Sequence, residues 1–244
     1  PYAAEHGHHQ FGKRSMPHDA DDYASLSRLL NDRWSCRGFL PEQLPRDTIQ
    51  RILALTQRTA SWCNTQPWEV IVTAGAGTER FRQALFDHVM SQPQAHPDFP
   101  FPREYAGVYR ERRRECGFQL YDSVGVQRGD RQASARQGAE NFRFFGAPHV
   151  AILTTPEALG VYGAVDCGAY VGNFMLAARS LGVATIAQAA LAEYSGFIRE
   201  HFGIGQDRQV VCGISFGFAD PGHPANAFRT SRAEVDDVVR WVEQ

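Results

Sequence analysis

The chain has 244 residues, room for one large domain or two small ones, and its 43% hydrophobic and 21% charged content is that of a globular fold able to bury a core. A formal net charge of -2 excludes a global pull toward nucleic acid or anionic membranes, and no apolar run is long enough to span a bilayer. Lys13 is the sole lysine among 25 basic residues, so phosphate-loop and Schiff-base chemistry are all but excluded and anion contacts fall to arginine.

Five cysteines, Cys36, Cys63, Cys116, Cys167 and Cys212, are scattered without a Cys-x-x-Cys pair. That spacing offers neither a zinc site nor a disulfide framework. No secretory pattern opens the sequence at Pro1, and reduced thiols in a cytoplasmic protein are expected.

Residues 1–20 are polar, carry His6, His8 and His9, and read as a flexible tail rather than a metal site. Asp21 caps a first helix with Leu26, Leu29 and Leu30. Pro45 opens a second, whose Ile49, Ile52, Leu53 and Leu55 have helical spacing. The polar loop Ser61 to Gln66 leads to a strand at Val70–Val72. Gly75 and Gly77 then turn the chain into a helix with Phe81, Leu85 and Val89.

Prolines and aromatics fill residues 91–103, and long polar helices are expected from Tyr105 to Phe145. The mixed-charge run from Arg110 to Glu115 reads as a solvated helix face. A strand at Val150–Leu153 follows. Residues 163–181 form a helix of small residues, fit for burial at the centre or at a dimer seam. A strand, the turn Gln188–Leu191 and a helix ending at Gly203 come next. Val210 to Gly217 is apolar on both faces and so reads as a central strand. After the loop at Pro221–Pro224, Arg229 and Arg232 precede a short helix through Val238. The whole reads as one α+β domain over residues 21–244, a central sheet wrapped by helices, with an excursion at about 91–140.

Two segments carry the chemistry. Arg33, Ser35 and Arg37 alternate, and in extended backbone alternate residues point the same way. Two guanidinium groups around a hydroxyl suit a phosphate and a polyol; surface ion pairs are the other reading. Asn64 and Gln66 bring amides to the loop before Pro67 and Trp68. They can match the donor and acceptor edge of a planar heterocycle, or merely stabilise a turn. Arg229 and Arg232 can complete a phosphate site from a distant part of the chain.

The order Arg33-x-Ser35-x-Arg37, then Ser61-x-x-Asn64-x-Gln66-Pro67-Trp68, resembles the nitroreductase flavoprotein family. So do the small-residue helix before Leu181-Gly182, the strand Val211–Gly217 and the closing Arg229-Thr230-Ser231-Arg232. The resemblance covers roughly residues 23–244. It implies a nitroreductase-like fold with a mostly antiparallel sheet, and FMN held non-covalently at the interface of an intertwined homodimer. Arg33, Trp34, Ser35 and Arg37 would bind phosphate and ribityl, with Arg229 or Arg232, or both, closing on the phosphate. Ser61, Trp62, Cys63, Asn64 and Gln66 would contact the flavin of the other subunit. The backbone of Gln188, Ala189, Ala190 and Leu191 would meet the reactive edge of the ring. The family often has Pro where Ala60 stands and a smaller residue at Trp62.

The implied activity is reduction of a nitroaromatic or quinone by NAD(P)H, in a ping-pong order, with no catalytic side chain and no metal. The excursion would be the lid, with Tyr105, Tyr109, Phe118 and Tyr121 as substrate contacts. Reductive dehalogenation, dehydrogenation of a biosynthetic intermediate, and flavin binding without turnover are the alternatives.

Overall fold

The computed structural model describes residues 20–243. They carry seven α-helices and four β-strands, in two compact units that meet at the Asp32–Arg33 bond in sequence. The first unit contains one described helix, α1 (Ala20–Asp32), with Asp21 and Asp22 in its first turn. Carboxylates there suit the unbonded amides of a helix start. The tail carrying His6, His8 and His9 lies outside the described residues.

The second unit begins with the extended segment 33–40 and α2 (Arg46–Thr56), followed by β1 (Glu69–Val72) and α3 (Ala76–Met90). Next come α4 (Gly107–Ser123), α5 (Arg131–Ala139), β2 (His149–Pro156) and α6 (Gly160–Ser180). It continues with β3 (Ala184–Gln188), α7 (Ser195–Phe202) and β4 (Arg208–Gly217). The strands form one sheet in the order β1-β2-β4-β3, every pair antiparallel.

Both faces of the sheet are covered, which is why β2 and β4 read as apolar throughout. Successive residues of β2 feed opposite layers. Val150 and Ile152 join Phe81, Leu85, Phe144, Ile186 and Ile198 on one side. Ala151 and Leu153 join Ile52, Tyr170, Phe174 and Ile214 on the other. The expected central strand is therefore interior, as β4, flanked by β2 and β3.

Small residues on α6 let it approach the sheet closely. A Cβ on Gly163 would stand 2.5 Å from Thr155 Oγ1 of β2. The helix buries Cys167, Tyr170, Val171 and Phe174 but leaves Val161, Tyr162 and Val165 exposed.

Two stretches differ from the sequence expectation. The polar helical run does not reach Phe145. It breaks after Ser123 and again at Glu140, where Phe144 (φ 59°) and Phe145 (φ 51°) adopt left-handed backbone. Non-glycine residues enter that region only when their surroundings hold them there. Arg82 does so by donating to the carbonyls of Arg143 and Ala147. Phe39 N–H donates to the Phe145 carbonyl at 3.2 Å. The expected helix through Val238 is only one 3-10 turn, Val235–Asp237. Val238 and Val239 are exposed, so no burial stabilises a longer helix.

Candidate functional site

The segment 33–40 runs as extended backbone beside β3. Ser35 pairs in parallel with Thr185, and Cys36 N–H donates to the Thr185 carbonyl at 3.0 Å. Alternation follows: Cys36 is fully buried, while Arg33, Ser35 and Arg37 stay half-buried. Arg37 reaches back along its own side, donating from Nη1 to the Ser35 carbonyl at 3.3 Å.

The chain after β4 returns to this segment. Leu40 N–H donates to the Phe218 carbonyl at 2.9 Å, and Asp220 N–H to the Gly38 carbonyl at 2.9 Å. Gly38 is required by a close approach, since a Cβ there would lie 2.2 Å from His223 Cγ. The fastening is completed by Asn226, a buried amide with all its polar atoms engaged. Its Oδ1 accepts from Arg37 N–H at 2.8 Å. Its Nδ2 donates to the carbonyls of Gly38 (2.8 Å) and Asp220 (2.9 Å), and its own carbonyl accepts from Arg229 Nη1 at 2.8 Å. Sequence reasoning passed over Asn226. Its only signal was an amide three residues before Arg229.

This return brings the two basic pieces together. Arg229 lies over the Trp34 ring with its guanidinium carbon 4.2 Å from the centroid, and Arg37 over Phe228 at 5.9 Å. Burial, and then the positive charge of Arg232, hold the Arg33 guanidinium below its ordinary pKa. Burial does the same to Arg37, opposed by Cys116 and Cys36. None of Arg33, Arg37, Arg229 and Arg232 has a carboxylate within ion-pair distance among the described residues. Arg33 is thus a partly desolvated cation repelled by Arg232, an arrangement that an anion would relieve.

Two cavities are lined by members of this set, and a third adjoins the second. The first, about 440 Å³, lies between α4 and the closing segment and is lined by Arg112, Cys116, Thr230, Ser231 and Arg232. The second, about 540 Å³, contains Arg37, Phe145, His223, Arg136 and Glu140. The third, about 720 Å³, shares Arg136 and Glu140 with the second and reaches Ala190. Its apolar wall is Phe86, Val89, Met90 and Phe142. The second and third cavities thus link Arg37 to the turn after β3 through their shared residues Arg136 and Glu140.

That turn, Ala189–Tyr194, is pinned at both ends. Leu191 is fully buried, and Gly213 of β4 makes room for it: a Cβ would stand 2.4 Å from Leu191 Cδ1. The buried Gln188 side chain accepts from Ser215 Oγ and donates from Nε2 to the Asn141 carbonyl at 2.9 Å. Gln188 therefore spends its amide within the fold, and Ala190 lines the third cavity. Asn141 and Glu193 line the third cavity beside Ala190. Asn141 was not legible in the sequence, because residues 140–146 read there as ordinary helix, and Glu193 carried no pattern of its own. Burial raises the Glu193 carboxyl pKa, favouring its neutral form.

The loop Ser61–Gln66 stands on the other side of the sheet's packing scheme, on α2 and α6. Ser61 Oγ accepts from Gln66 N–H at 2.9 Å, and Gln57 Nε2 donates to Gln66 Oε1 at 3.1 Å. Trp62 N–H donates to both Asp166 carboxylate oxygens at 3.2 Å. Cys63 (φ 50°), Asn64 (φ 56°) and Gln66 (φ 47°) are all left-handed, a concentration of strain that marks functional loops. Cys63 and Trp62 are exposed, and Trp62 meets Tyr162 edge-on at 4.3 Å. No hydrogen bond or ring contact joins this loop to the arginine cradle of the same chain among the described residues.

The four aromatics expected to meet substrate do not line the third cavity. Tyr105 and Tyr109 are exposed, with Arg113 over Tyr105 at 5.0 Å, and Phe118 carries Arg128 over its ring at 4.5 Å. Tyr121 is half-buried on α4. The segment before α4 is strapped down instead: His96 N–H donates to the Glu193 carbonyl at 2.8 Å, and Asp98 pairs with Arg199.

Fold and site together have the form of a flavoprotein oxidoreductase. Residues 30–218 match the Nitroreductase family. Nitroreductase NfnB of Mycolicibacterium smegmatis is 35% identical over 219 residues, covering 89% of this chain and 92% of that protein. A 4-nitrobenzoate reductase of Pseudomonas putida is 32% identical, covering 87% and 92%. The crystal structure of the FMN-dependent nitroreductase NfnB from Mycobacterium smegmatis, in complex with NADPH, superposes with a TM-score of 0.86 at 34% identity. It covers 91% of this chain and 100% of that one. The chain belongs to the nitroreductase family.

Proposed function

We propose that this protein binds FMN and uses NAD(P)H to reduce an electron-poor aromatic acceptor, a nitroaromatic or a quinone. One observation carries the reading: Arg33, Arg37, Arg229 and Arg232, none with a carboxylate at ion-pair distance among the described residues, gather where Arg37 lines a cavity that shares Arg136 and Glu140 with an apolar chamber at Ala190. The donor set fits a phosphate. Arg33, Arg37, Arg229 and Arg232 would hold it, with the Ser35 hydroxyl on the ribityl chain. When bound, FMN supplies the hydride-transfer chemistry. The backbone of Ala189–Leu191 would place a donor at the reactive edge, where it stabilises developing negative charge. The relatives named as nitroreductases, and the solved FMN- and NADPH-dependent enzyme, support the same assignment.

The protein acts as a homodimer in this reading. Among the described residues the strained loop Ser61–Gln66 makes no hydrogen bond or ring contact to its own cradle, and it borders an exposed apolar face of Trp62, Val161, Tyr162 and Val165. A second copy would cover that face and receive Ser61, Trp62, Cys63, Asn64 and Gln66 at its flavin. Among the described residues no helix is long and apolar enough to cross a membrane. Five free cysteines suit the reducing cytoplasm.

Nicotinamide and acceptor would use the chamber in turn, giving ping-pong kinetics. Anaerobic NADPH or NADH should bleach the flavin band, and a nitroarene or quinone should restore it. Initial-rate plots should be parallel. Flavin that stays oxidised with both nicotinamides would sink the reductase reading, and intersecting plots would sink the ping-pong order.

A further inference from the structure

We infer that the chamber at Ala190 is built for an aromatic acceptor carrying a carboxylate, with Arg136 as the residue that recognises the anion. The inference rests on the reductase reading above and names the acceptor class of that same site.

The chamber's shape and chemistry divide cleanly. Phe86, Val89 and Met90 from α3, with Phe142, supply a wall for an apolar planar body. Another part of the lining is one face of α5. Gln132, Ala135, Arg136 and Ala139 all line the chamber, and their spacing of three and four residues is that of a single helical stripe. Two alanines keep that wall low between two polar groups, a guanidinium and an amide one turn apart. A planar carboxylate matches both, since guanidinium offers paired parallel donors and the amide one more.

The charges around the chamber leave Arg136 available. Arg143 is engaged: it lies 4.2 Å over the Phe86 ring and 3.6 Å from Glu140. Glu140 is thereby occupied as well. Glu193, the other carboxyl in the chamber, is shifted by burial toward its neutral form. Asp130, in the adjoining cavity, caps α5 by accepting from Ala133 N–H at 2.8 Å. Arg136 has no hydrogen bond, ion pair or ring contact among the described residues, so an incoming carboxylate meets no competing internal partner. The chamber, at about 720 Å³, has room for a substituted single ring.

The test compares 4-nitrobenzoate with 4-nitrobenzamide, which has the same shape but no charge, in wild type and Arg136→Gln. Exposure and lack of partners at Arg136 mean that the variant should fold normally. The ratio of kcat/KM for the acid over the amide should fall about tenfold or more, as expected when a charged hydrogen-bonding partner is lost. Arg136→Lys should restore part of it. In parallel, titration of the flavin-loaded protein with benzoate, which cannot be reduced, should show about tenfold weaker binding in Arg136→Gln. Equal changes for acid and amide overturn the proposal. So does an effect confined to NADPH relative to NADH, which would assign Arg136 to the donor's phosphate. If neither nitro compound is turned over, Arg136-dependent benzoate binding upholds the anion site while the reductase reading fails.

Discussion

His149 shows how one buried side chain ties the sheet to the segment leading into the site. It is 1% exposed, stacks on Phe216 at 5.2 Å, and uses both ring nitrogens. Nε2 accepts from Leu44 N–H at 2.9 Å, which leaves the proton on Nδ1, facing the Thr73 carbonyl at 3.1 Å. Burial lowers its pKa below the ordinary histidine value, outweighing the Thr73 hydrogen bond. The unfolded chain then takes up a proton that the folded protein refuses, so stability is full above about pH 6.5 and declines as pH falls below it. Protonation would also break the Leu44 bond. The thermal midpoint should drop by about 3 °C between pH 7 and 5.5, and His149→Gln should flatten that slope. An unchanged slope in the variant would assign the acid sensitivity elsewhere. The buried thiols add no competing titration there, because burial pushes Cys36 and Cys167 up to about 11 and Cys212 to about 12.

At the level of elements, α6 does two jobs with two faces. Its inner face of Cys167, Tyr170 and Phe174 packs on the sheet, and its outer face of Val161, Tyr162 and Val165 is exposed beside the strained loop. Apolar side chains clustered in this way mark an interface. Val165→Asp should leave the fold of each chain intact, since the residue is 60% exposed. It should convert the dimer to a monomer in light scattering and weaken FMN binding about tenfold or more, because each flavin would lose the partner's loop. A variant that remains dimeric and fully yellow would rule out this face. The small-residue character of α6 and the two-sided burial of β4 were both legible, because composition and periodicity report packing directly. The breaks around 124–130 and 140–146 were not. The second depends on Arg82 and Phe39 capturing carbonyls from a distant part of the chain, and no local pattern encodes such contacts.

For the molecule as a whole, the sheet order places the edge strand β3 beside segment 33–40, and the return after β4 sets the second basic piece against the first. That Arg33, Ser35, Arg37, Arg229 and Arg232 form one candidate set was legible from residue type and spacing, and the fold does bring the two basic segments together. Asn226, which locks the two pieces together, was not, since one amide in a loop carries no pattern. The third cavity was not legible either, because its lining comes from α3, α5, residues 140–143 and the turn at Ala190, pieces far apart in sequence.

In the proposed function, Arg33, Arg37, Arg229 and Arg232 hold a phosphate. Comparing FMN with riboflavin, which is the same ring and chain without the phosphate, tests it directly by equilibrium fluorescence quenching of the apoprotein. Wild type should bind FMN at least about a hundredfold more tightly, as several charge-assisted hydrogen bonds require. Arg33→Ala should be purified colourless and lose most of that preference while its riboflavin affinity changes little. Equal affinity of wild type for the two flavins, or a fully yellow Arg33→Ala protein, would contradict the assignment.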